Sequence, residues 1–168
     1  MTYTKAFFAL LLVSFVMAGC GYQLGSLKIG QRQKLAVPQF TNRTGEPNLE
    51  TLTTNEVIRK LQVDGTYIIV ADQTQADYVL LVDLVNFHRD ALTFDRNDVT
   101  NDFRILLTAN LVFKDAKTEK TVWISNRVEG EATYPRGSNQ PESERAVLPI
   151  LISDTAKRIV DKVADGGW

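Results

Sequence analysis

Three consecutive runs of alternating apolar and polar residues occupy the middle of this 168-residue chain, at 78–87, 102–113 and 121–134. A period of two predicts β-strands, because successive side chains of a strand point to opposite faces of the sheet. Two polar connections, 88–101 and 114–120, separate the runs. Since consecutive strands usually pair with each other, the runs predict an antiparallel meander of long hairpins.

The phase of the alternation predicts which face of each strand is buried. Both phases of 78–87 are largely apolar, which indicates a central strand covered on both sides. In the second run the apolar face carries Phe103, Ile105, Leu107, Ala109, Leu111 and Phe113. In the third run we expect a shared apolar face of Val122, Ile124, Val128, Ala132 and Tyr134, opposite Trp123, Arg127, Glu129 and Glu131.

A strand and a helix are predicted before the meander. Residues 35–40 read as a short strand, and Pro38, which has no N–H to donate, places it at a sheet edge or a bulge. The spacing of the next apolar residues predicts a helix over 49–62, with Asn48 as N-cap and Gly65 just past its end. The expected apolar stripe is Leu49, Leu52, Val57, Ile58 and Leu61.

The remaining segments complete an α+β fold. A brief strand is predicted at 67–70, and a second helix closes the chain. Pro149 either begins that helix or kinks a longer one that starts near Glu142. The expected order is strand, helix, short strand, three long strands and helix, with both helices packed on one face of a mostly antiparallel sheet. The stripe of the last helix is Ile152, Ala156, Ile159, Val160 and Val163, and Gly166 and Gly167 are expected to end it.

The N-terminal segment has the features of an export signal. Lys5 supplies its only charge, and a thirteen-residue apolar run, 6–18, leads through small residues to Cys20, the only cysteine of the chain. Such a run is too short for a transmembrane helix, which needs roughly 20 residues. The alternative, a short buried helix, is disfavoured because the run is not amphipathic. Residues 16–20 resemble the lipobox of bacterial lipoproteins.

The lipobox resemblance implies cleavage before Cys20, a diacylglycerol thioether on its sulfur and an acyl chain on its amino group. Several acyl chains anchor a protein stably, whereas one chain binds marginally. Gly21 stands where an aspartate would favour inner-membrane retention, so outer-membrane localisation on the periplasmic side is expected. The chain then divides into a signal peptide (1–19), a lipidated tether (20–33) and one α+β domain (34–168).

Composition and motifs narrow the classes of function. Removing residues 1–19 lowers Lys plus Arg from 19 to 18 against 20 Asp plus Glu, so the net charge moves from −1 to −2. That balance gives no long-range attraction for nucleic acid. One histidine, His88, and no free cysteine leave no usual metal-ligand set, and we find no nucleophile or phosphate-loop motif. No catalytic residue, metal or cofactor is predicted, which favours a binding or assembly component over an enzyme.

Four segments together resemble the LptE family of lipopolysaccharide-assembly lipoproteins. They are Cys20-Gly21-Tyr22-Gln23-Leu24, Leu35-Ala36-Val37-Pro38-Gln39-Phe40-Thr41-Asn42-Arg43-Thr44, Pro47-Asn48-Leu49-Glu50 and Ala76-Asp77-Tyr78-Val79-Leu80. Their order and spacing, followed by the terminal helix, extend the resemblance over 20–165. It implies an outer-membrane lipoprotein seated in the LptD β-barrel, where it assists barrel assembly, plugs the barrel and contacts lipopolysaccharide.

Contact with a phosphorylated glycolipid requires accessible cations. The candidates are Lys114, Lys117 and Lys120 on one predicted turn, and Arg89, Arg96 and Arg104 around the other. Ordinary solvated turn charges explain the same residues equally well. The aromatic residues Phe94 and Trp123 belong either to an exposed partner interface or to a second core layer.

Two other functions stay open at the level of sequence. One is a lipid-anchored periplasmic protein that binds glycolipid or glycan without a barrel partner. The other is a lipid-anchored hydrolase that uses carboxylates, although no convincing pair of carboxylates is evident.

Overall fold

The frame of the structure is an antiparallel meander of three long strands. The structure, a computed structural model, describes residues 32–94, 100–135 and 140–166. Within these residues the chain forms one six-stranded sheet and two α-helices. In order they are β1 (Lys34–Ala36), β2 (Thr41–Asn42), α1 (Leu49–Asp64), β3 (Ile68–Val70), β4 (Tyr78–Phe94), β5 (Thr100–Asp115), β6 (Thr121–Pro135) and α2 (Gln140–Ala164). The predicted α+β class and element order are confirmed.

The sheet has the order β3-β1-β4-β5-β6, and β2 also pairs with β4. The β4–β5 and β5–β6 pairs are antiparallel, as predicted, whereas β1, β2 and β3 make parallel pairs. The prediction of a loop over 88–101 is wrong for most of its length, since pairing continues to Phe94 and Thr100. Charged residues such as Asp90 and Arg104 sit opposite each other there, and their pairing sustains a ladder that the apolar pattern does not reveal.

The first predicted strand is shorter than expected and is not at an edge. β1 ends at Ala36 and lies between β3 and β4. The chain leaves the ladder before Pro38, which has no N–H to donate, and pairs with β4 again at Thr41. The buried Phe40 lies in this gap, and its N–H donates to Thr54 Oγ1 of α1 at 3.0 Å. A helix side chain thus satisfies a buried donor that the sheet leaves unpaired.

α1 begins where predicted and runs two residues further, to Asp64. Asn48 occupies the predicted N-cap position, but its φ is 65° and its side chain makes no capping hydrogen bond. The predicted stop is confirmed, because Gly65 adopts φ 74° and its N–H donates to Leu61 O at 3.0 Å. Leu52 is not in the core but 47% exposed, while the small Thr53 and Thr54 are buried in its place.

α2 takes the longer of the two predicted forms, with Pro149 inside it. Proline is tolerated there on the exposed side of the helix, where its missing N–H costs least in desolvation. The predicted apolar stripe is buried in full, and Val147 and Leu151 extend it toward the N-terminus. Beyond the helix, Gly166 adopts φ 75°, in agreement with the predicted stop.

The main core lies between the helices and one face of the sheet. Its central layer is the predicted apolar face of β5, of which Ile105, Leu107, Ala109, Leu111 and Phe113 are buried and Phe103 is half-buried. β4 adds Leu80, Val82 and Leu84 to the same face. On the opposite face of β4 a small second cluster contains Ala36, Ala76 and Val79. The first part of β4 is therefore covered on both sides, as predicted.

A β-bulge overturns part of the predicted face of β6. Ala109 pairs with Val128 and Leu111 with Ser125, so that Asn126 and Arg127 both stand opposite Asn110. Arg127 adopts φ 57°, and its N–H donates to Asn110 Oδ1 at 3.0 Å. The extra residue reverses the phase of the strand. Val128, Ala132 and Tyr134 face the core as predicted, but Val122 and Ile124 are 54% and 57% exposed on the other face.

Trp123 takes the core-facing place before the bulge. Its ring stacks on Phe113 with centroids 5.0 Å apart and an interplanar angle of 3°. The second of its predicted alternatives, a layer added to the core, is therefore the one observed. The side chain of Phe94 lies outside the described residues.

α2 also protects the free edge of the sheet. β6 is an edge strand, whose unpaired N–H groups could pair with another chain. The Glu131 N–H instead donates to Asp154 Oδ2 of α2 at 3.0 Å, and Arg158 Nε donates to the same oxygen at 2.8 Å. Burial alone would raise the pKa of Asp154, but these hydrogen bonds outweigh it, and the pKa is lowered.

We predict that Gly130→Ala is strongly destabilising. An added Cβ would lie 2.6 Å from both the Cα and the backbone N of Thr155, so α2 would have to move off β6. Overpacking of this kind costs about 1–3 kcal/mol, which urea unfolding monitored by circular dichroism measures. Gly45→Ala is the matched control, because its Cβ would meet nothing within 4 Å and only its φ of 80° is strained. A smaller loss for Gly130→Ala than for Gly45→Ala would contradict the close packing.

We predict that Asp154→Asn lowers the free energy of unfolding by about 1 kcal/mol at pH 7. Because the folded pKa of Asp154 is depressed, its contribution is present above the unfolded value near pH 4 and is lost as pH falls through the folded pKa. The difference in free energy of unfolding between wild type and Asp154→Asn, measured by urea unfolding, should therefore shrink as the pH is lowered. Asp161→Asn, which removes an exposed pair with Lys157 on the same helix, should cost less than Asp154→Asn at pH 7.

Candidate functional site

The predicted cationic residues separate into two groups at opposite ends of the long strands. Lys114, Lys117 and Lys120 lie at the β5–β6 turn, and Arg104 lies ten positions away along β5. At about 3.4 Å per residue the two groups are about 34 Å apart. Arg96 lies outside the described residues. The candidates therefore do not converge on one phosphate group.

Arg89 links the sheet to the beginning of α2. Its Nε donates to both carboxylate oxygens of Glu144, at 2.9 and 2.8 Å, and its Nη2 lies 3.4 Å from Glu46 Oε2. The guanidinium also lies 4.8 Å from the centroid of the Phe87 ring. The hydrogen bond with Glu144 raises the pKa of Arg89 further above its usual value. This geometry indicates that Arg89 joins the sheet to α2 and that Glu144 already neutralises its charge.

Arg104 connects three strands on the uncovered face of the sheet. Its Nη2 lies 3.3 Å from Asp90 Oδ2 on β4, and its Nη1 lies 3.9 Å from Glu131 Oε2 on β6. The buried Nε has no hydrogen-bond partner among the described residues. Since a guanidinium bonded on two sides is already largely compensated, Arg104 is a weaker candidate for ligand contact than its sequence position predicted.

An open cleft of about 650 Å³ lies beside Arg89. Phe103 and Tyr134, stacked with centroids 5.5 Å apart, form part of its wall together with Leu148. Burial raises the pKa of Tyr134, and the neighbouring Glu144 adds to the rise. The cleft is lined by apolar groups, by the Arg89–Glu144 ion pair with Glu46 beside it, and by the exposed Arg145; none of its lining residues is a histidine or cysteine.

At the other end, Asp77 joins three segments of the chain. Its Oδ2 accepts from the Lys34 N–H at 3.0 Å, and its Oδ1 lies 3.2 Å from Lys117 Nζ. Its own carbonyl accepts from the Ala116 N–H at 2.9 Å. The hydrogen bond from Lys34 and the ion pair with Lys117 lower the pKa of Asp77. Asp77 thus fixes the start of β1 against the β5–β6 turn.

Lys114 and Lys120 differ from the other candidates in their pairing. Within the described ranges neither lies within ion-pairing distance of a carboxylate. Lys114 is half-exposed at the end of β5, and Lys120 is exposed in the turn. Of the five predicted contacts that the structure describes, these two have an accessible charge without an ion-pair partner.

The face of the sheet turned away from the helices, which is uncovered apart from the small cluster at Val79, carries an apolar row that the sequence pattern did not predict. Leu81, Val112 and Ile124 are direct neighbours across β4, β5 and β6. The bulge turns Ile124 and the nearby Val122 outward to complete this patch. A signal was available, because Asn126 occupies a position in the third run where the predicted phase requires an apolar residue.

His88, the one histidine of the chain, lies in the described ranges. His88 is exposed, and its Nε2 lies 2.8 Å from Asp90 Oδ1. No group of three or more potential metal ligands is found there. No helix in those ranges is both long and apolar enough to cross a bilayer.

Comparison with known proteins identifies the family. The model of the LptE lipopolysaccharide-assembly family matches residues 32–164, which is nearly the whole described domain. The chain belongs to the LptE family. The family is a non-enzymatic component of lipopolysaccharide assembly, so the hydrolase alternative is set aside. No curated protein sequence matches the chain significantly.

Solved structures share the fold of this LptE-family chain. Protein XCC0632 from Xanthomonas campestris is 12% identical with a TM-score of 0.60, covering 80% of this chain and 85% of that one. The hypothetical protein CT253 from Chlamydia trachomatis is 14% identical with a TM-score of 0.57, covering 81% and 98%. Rare lipoprotein B from Shewanella oneidensis is 14% identical with a TM-score of 0.53, covering 79% and 94%. At these identities the likeness concerns the fold alone.

We predict that Arg89 and Glu144 stabilise the fold as a pair. Arg89→Gln and Glu144→Gln should each destabilise the domain, and the double variant should lose less than the sum, with a coupling of about 1 kcal/mol. Urea unfolding of the four proteins in the cycle measures that coupling. Lys157→Gln with Asp161→Gln is the matched control, an exposed pair on the same helix with an expected coupling below about 0.5 kcal/mol. Equal coupling energies in the two cycles would contradict a specific stabilising role of the Arg89–Glu144 pair.

Proposed function

We propose that this LptE-family chain is an outer-membrane lipoprotein that seats in an LptD-like β-barrel and plugs it. In that position it assists the transport and insertion of lipopolysaccharide into the outer leaflet. The family match over residues 32–164 carries the proposal. The lipobox-like residues before Cys20 supply the anchor, with 1–19 as signal peptide and 20–33 as tether on the periplasmic side.

The structure is compatible with a plug in physical terms. β4 and β5 have 17 and 16 residues and form one hairpin, which at about 3.4 Å per residue extends to about 55 Å. Cross-strand charge pairs make its uncovered face polar toward the hairpin tip. A long, internally braced hairpin suits insertion into a wide barrel, whose lumen is polar. Among the candidate cationic contacts for lipopolysaccharide, Lys114 and Lys120 have no carboxylate partner among the described residues, whereas Lys117, Arg89 and Arg104 each have one.

The test of partnership is affinity purification of the lipidated protein from detergent-solubilised outer membrane, followed by mass spectrometry. We expect an LptD-like barrel protein in near-stoichiometric amount. Recovery of the lipidated protein without any barrel would sink the plug proposal and leave the second candidate, a free-standing glycolipid or glycan binder.

The test of the anchor is the intact mass of the protein from the membrane fraction. We predict that the mature chain begins at Cys20 and carries the mass of a diacylglycerol and one acyl chain. Cys20→Ser should lose that mass, because a hydroxyl cannot form the thioether that carries the lipid. Leu24→Ser is the control for a neighbouring change, and it should keep both the lipid mass and the membrane location.

A further inference from the structure

The segment that follows Cys20 enters the described domain beside the lysine turn. β1 starts at Lys34, whose N–H is bonded to Asp77, and the same carboxylate pairs with Lys117 of the turn. Eleven residues separate Cys20 from Arg32. Fully extended at about 3.3–3.6 Å per residue, they reach at most about 40 Å. The surface that holds the lipid on Cys20 is therefore never more than about 40 Å from this end of the domain.

One corner of the sheet face turned away from the helices combines two exposed apolar residues, Val122 and Ile124, with the half-buried Leu81 and Val112 and with two lysines that make no ion pair among the described residues. The apolar row of Leu81, Val112 and Ile124 crosses three strands, and Val122 lies next to it. Lys114 follows Val112 two residues along β5, on the same face, and Lys120 lies in the adjoining turn. We call these residues the amphipathic corner: Leu81, Val112, Lys114, Lys120, Val122 and Ile124.

Neither lysine has an ion-pair partner among the described residues, although the exposed Glu119 beside Lys120 offsets part of the local positive charge. Asp77 is taken by Lys117 and Lys34. Asp115 Oδ1 accepts from the backbone N–H groups of Lys117 and Thr118 and so closes the turn. Glu119 is exposed in the turn and makes no ion pair among the described residues. The carboxylates of the two helices lie on the other, covered face of the sheet.

We propose that the amphipathic corner docks on the anionic phospholipid surface of the leaflet that holds the Cys20 anchor. The inference rests on the proposed lipidation of Cys20. Apolar side chains that enter the interface together with lysines that reach lipid phosphates are the features of peripheral membrane binding. With the anchor at most about 40 Å away, the second contact forms at high effective concentration. Docking would fix the orientation of the domain on the leaflet.

Vesicle co-sedimentation of the full mature chain tests the proposal. Cys20→Ser removes the anchor, so that binding reports the surface alone. We expect binding to phosphatidylethanolamine vesicles that contain phosphatidylglycerol, weakening with salt, and little binding when phosphatidylcholine replaces phosphatidylglycerol. Each lysine near an anionic surface contributes about five-fold, so Lys114→Gln with Lys120→Gln should weaken binding about 25-fold. Val122→Thr with Ile124→Thr should weaken it further and leave its salt dependence unchanged.

The matched control is Lys60→Gln with Lys157→Gln, which removes the same charge from the two helices and should leave vesicle binding unchanged. Equal binding of the two lysine double variants would overturn the proposal. If Lys114→Gln with Lys120→Gln lost binding to lipopolysaccharide micelles but kept binding to vesicles that contain phosphatidylglycerol, the corner would be assigned to lipopolysaccharide instead. If Val122→Thr with Ile124→Thr changed the sedimentation coefficient relative to the parent chain in the absence of vesicles, the amphipathic corner would be assigned to contact with a second copy of the chain.

The failure of this inference is distinguishable from failure of the proposed function. A missing barrel partner would leave the vesicle result as it stands. The intact-mass measurement would show directly whether Cys20 carries a lipid. If it carries none, the leaflet of the anchor is no longer supported as the surface that the corner contacts.

Discussion

The apolar face of β5 is the constraint on which the rest of the structure depends. Five of its alternate side chains, from Ile105 to Phe113, are buried beneath two helices, and β4 and β6 pair along its two edges. Fully burying one aliphatic side chain stabilises a fold by about 1.5–3 kcal/mol. No other strand carries so continuous a buried face. α2 crosses beside it over Gly130, where the absence of a side chain lets helix and sheet approach.

The same regularity explains which parts of the fold were predictable. Period-two alternation identified all three long strands and the buried face of β5, and glycine after each helix identified both stops. These signals act locally, because each residue's conformation follows from its own side chain and its near neighbours. The class of the fold follows from them, since two amphipathic helices beside a sheet with one strongly apolar face have few other ways to bury both surfaces.

The errors share a physical cause, which is competition from contacts distant in sequence. Asn110 accepts a hydrogen bond from the Arg127 N–H and stabilises a bulge that reverses the face of β6. Thr54 of α1 accepts from Phe40, so the chain can leave the sheet near Pro38 without an unsatisfied donor. Asp90 and Arg104 hold the hairpin together where apolar alternation ends. Sequence shows the residue types in each case, but their partners lie 14 or 17 positions away.

The candidate site illustrates the same limit for charges. Six cations looked equivalent in sequence, and the described five are not: Arg89, Arg104 and Lys117 each have a carboxylate partner, whereas Lys114 and Lys120 have none among the described residues. Solved structures at 12–14% identity share the fold, so this fold is compatible with very different sequences. The fold alone therefore assigns no role to a particular surface residue. Of the five described candidates, the two without a carboxylate partner lie at the end of the domain where β1 begins, whereas Arg127 and Arg145, which also make no ion pair among the described residues, lie elsewhere, so position as well as pairing has to select the contact residues.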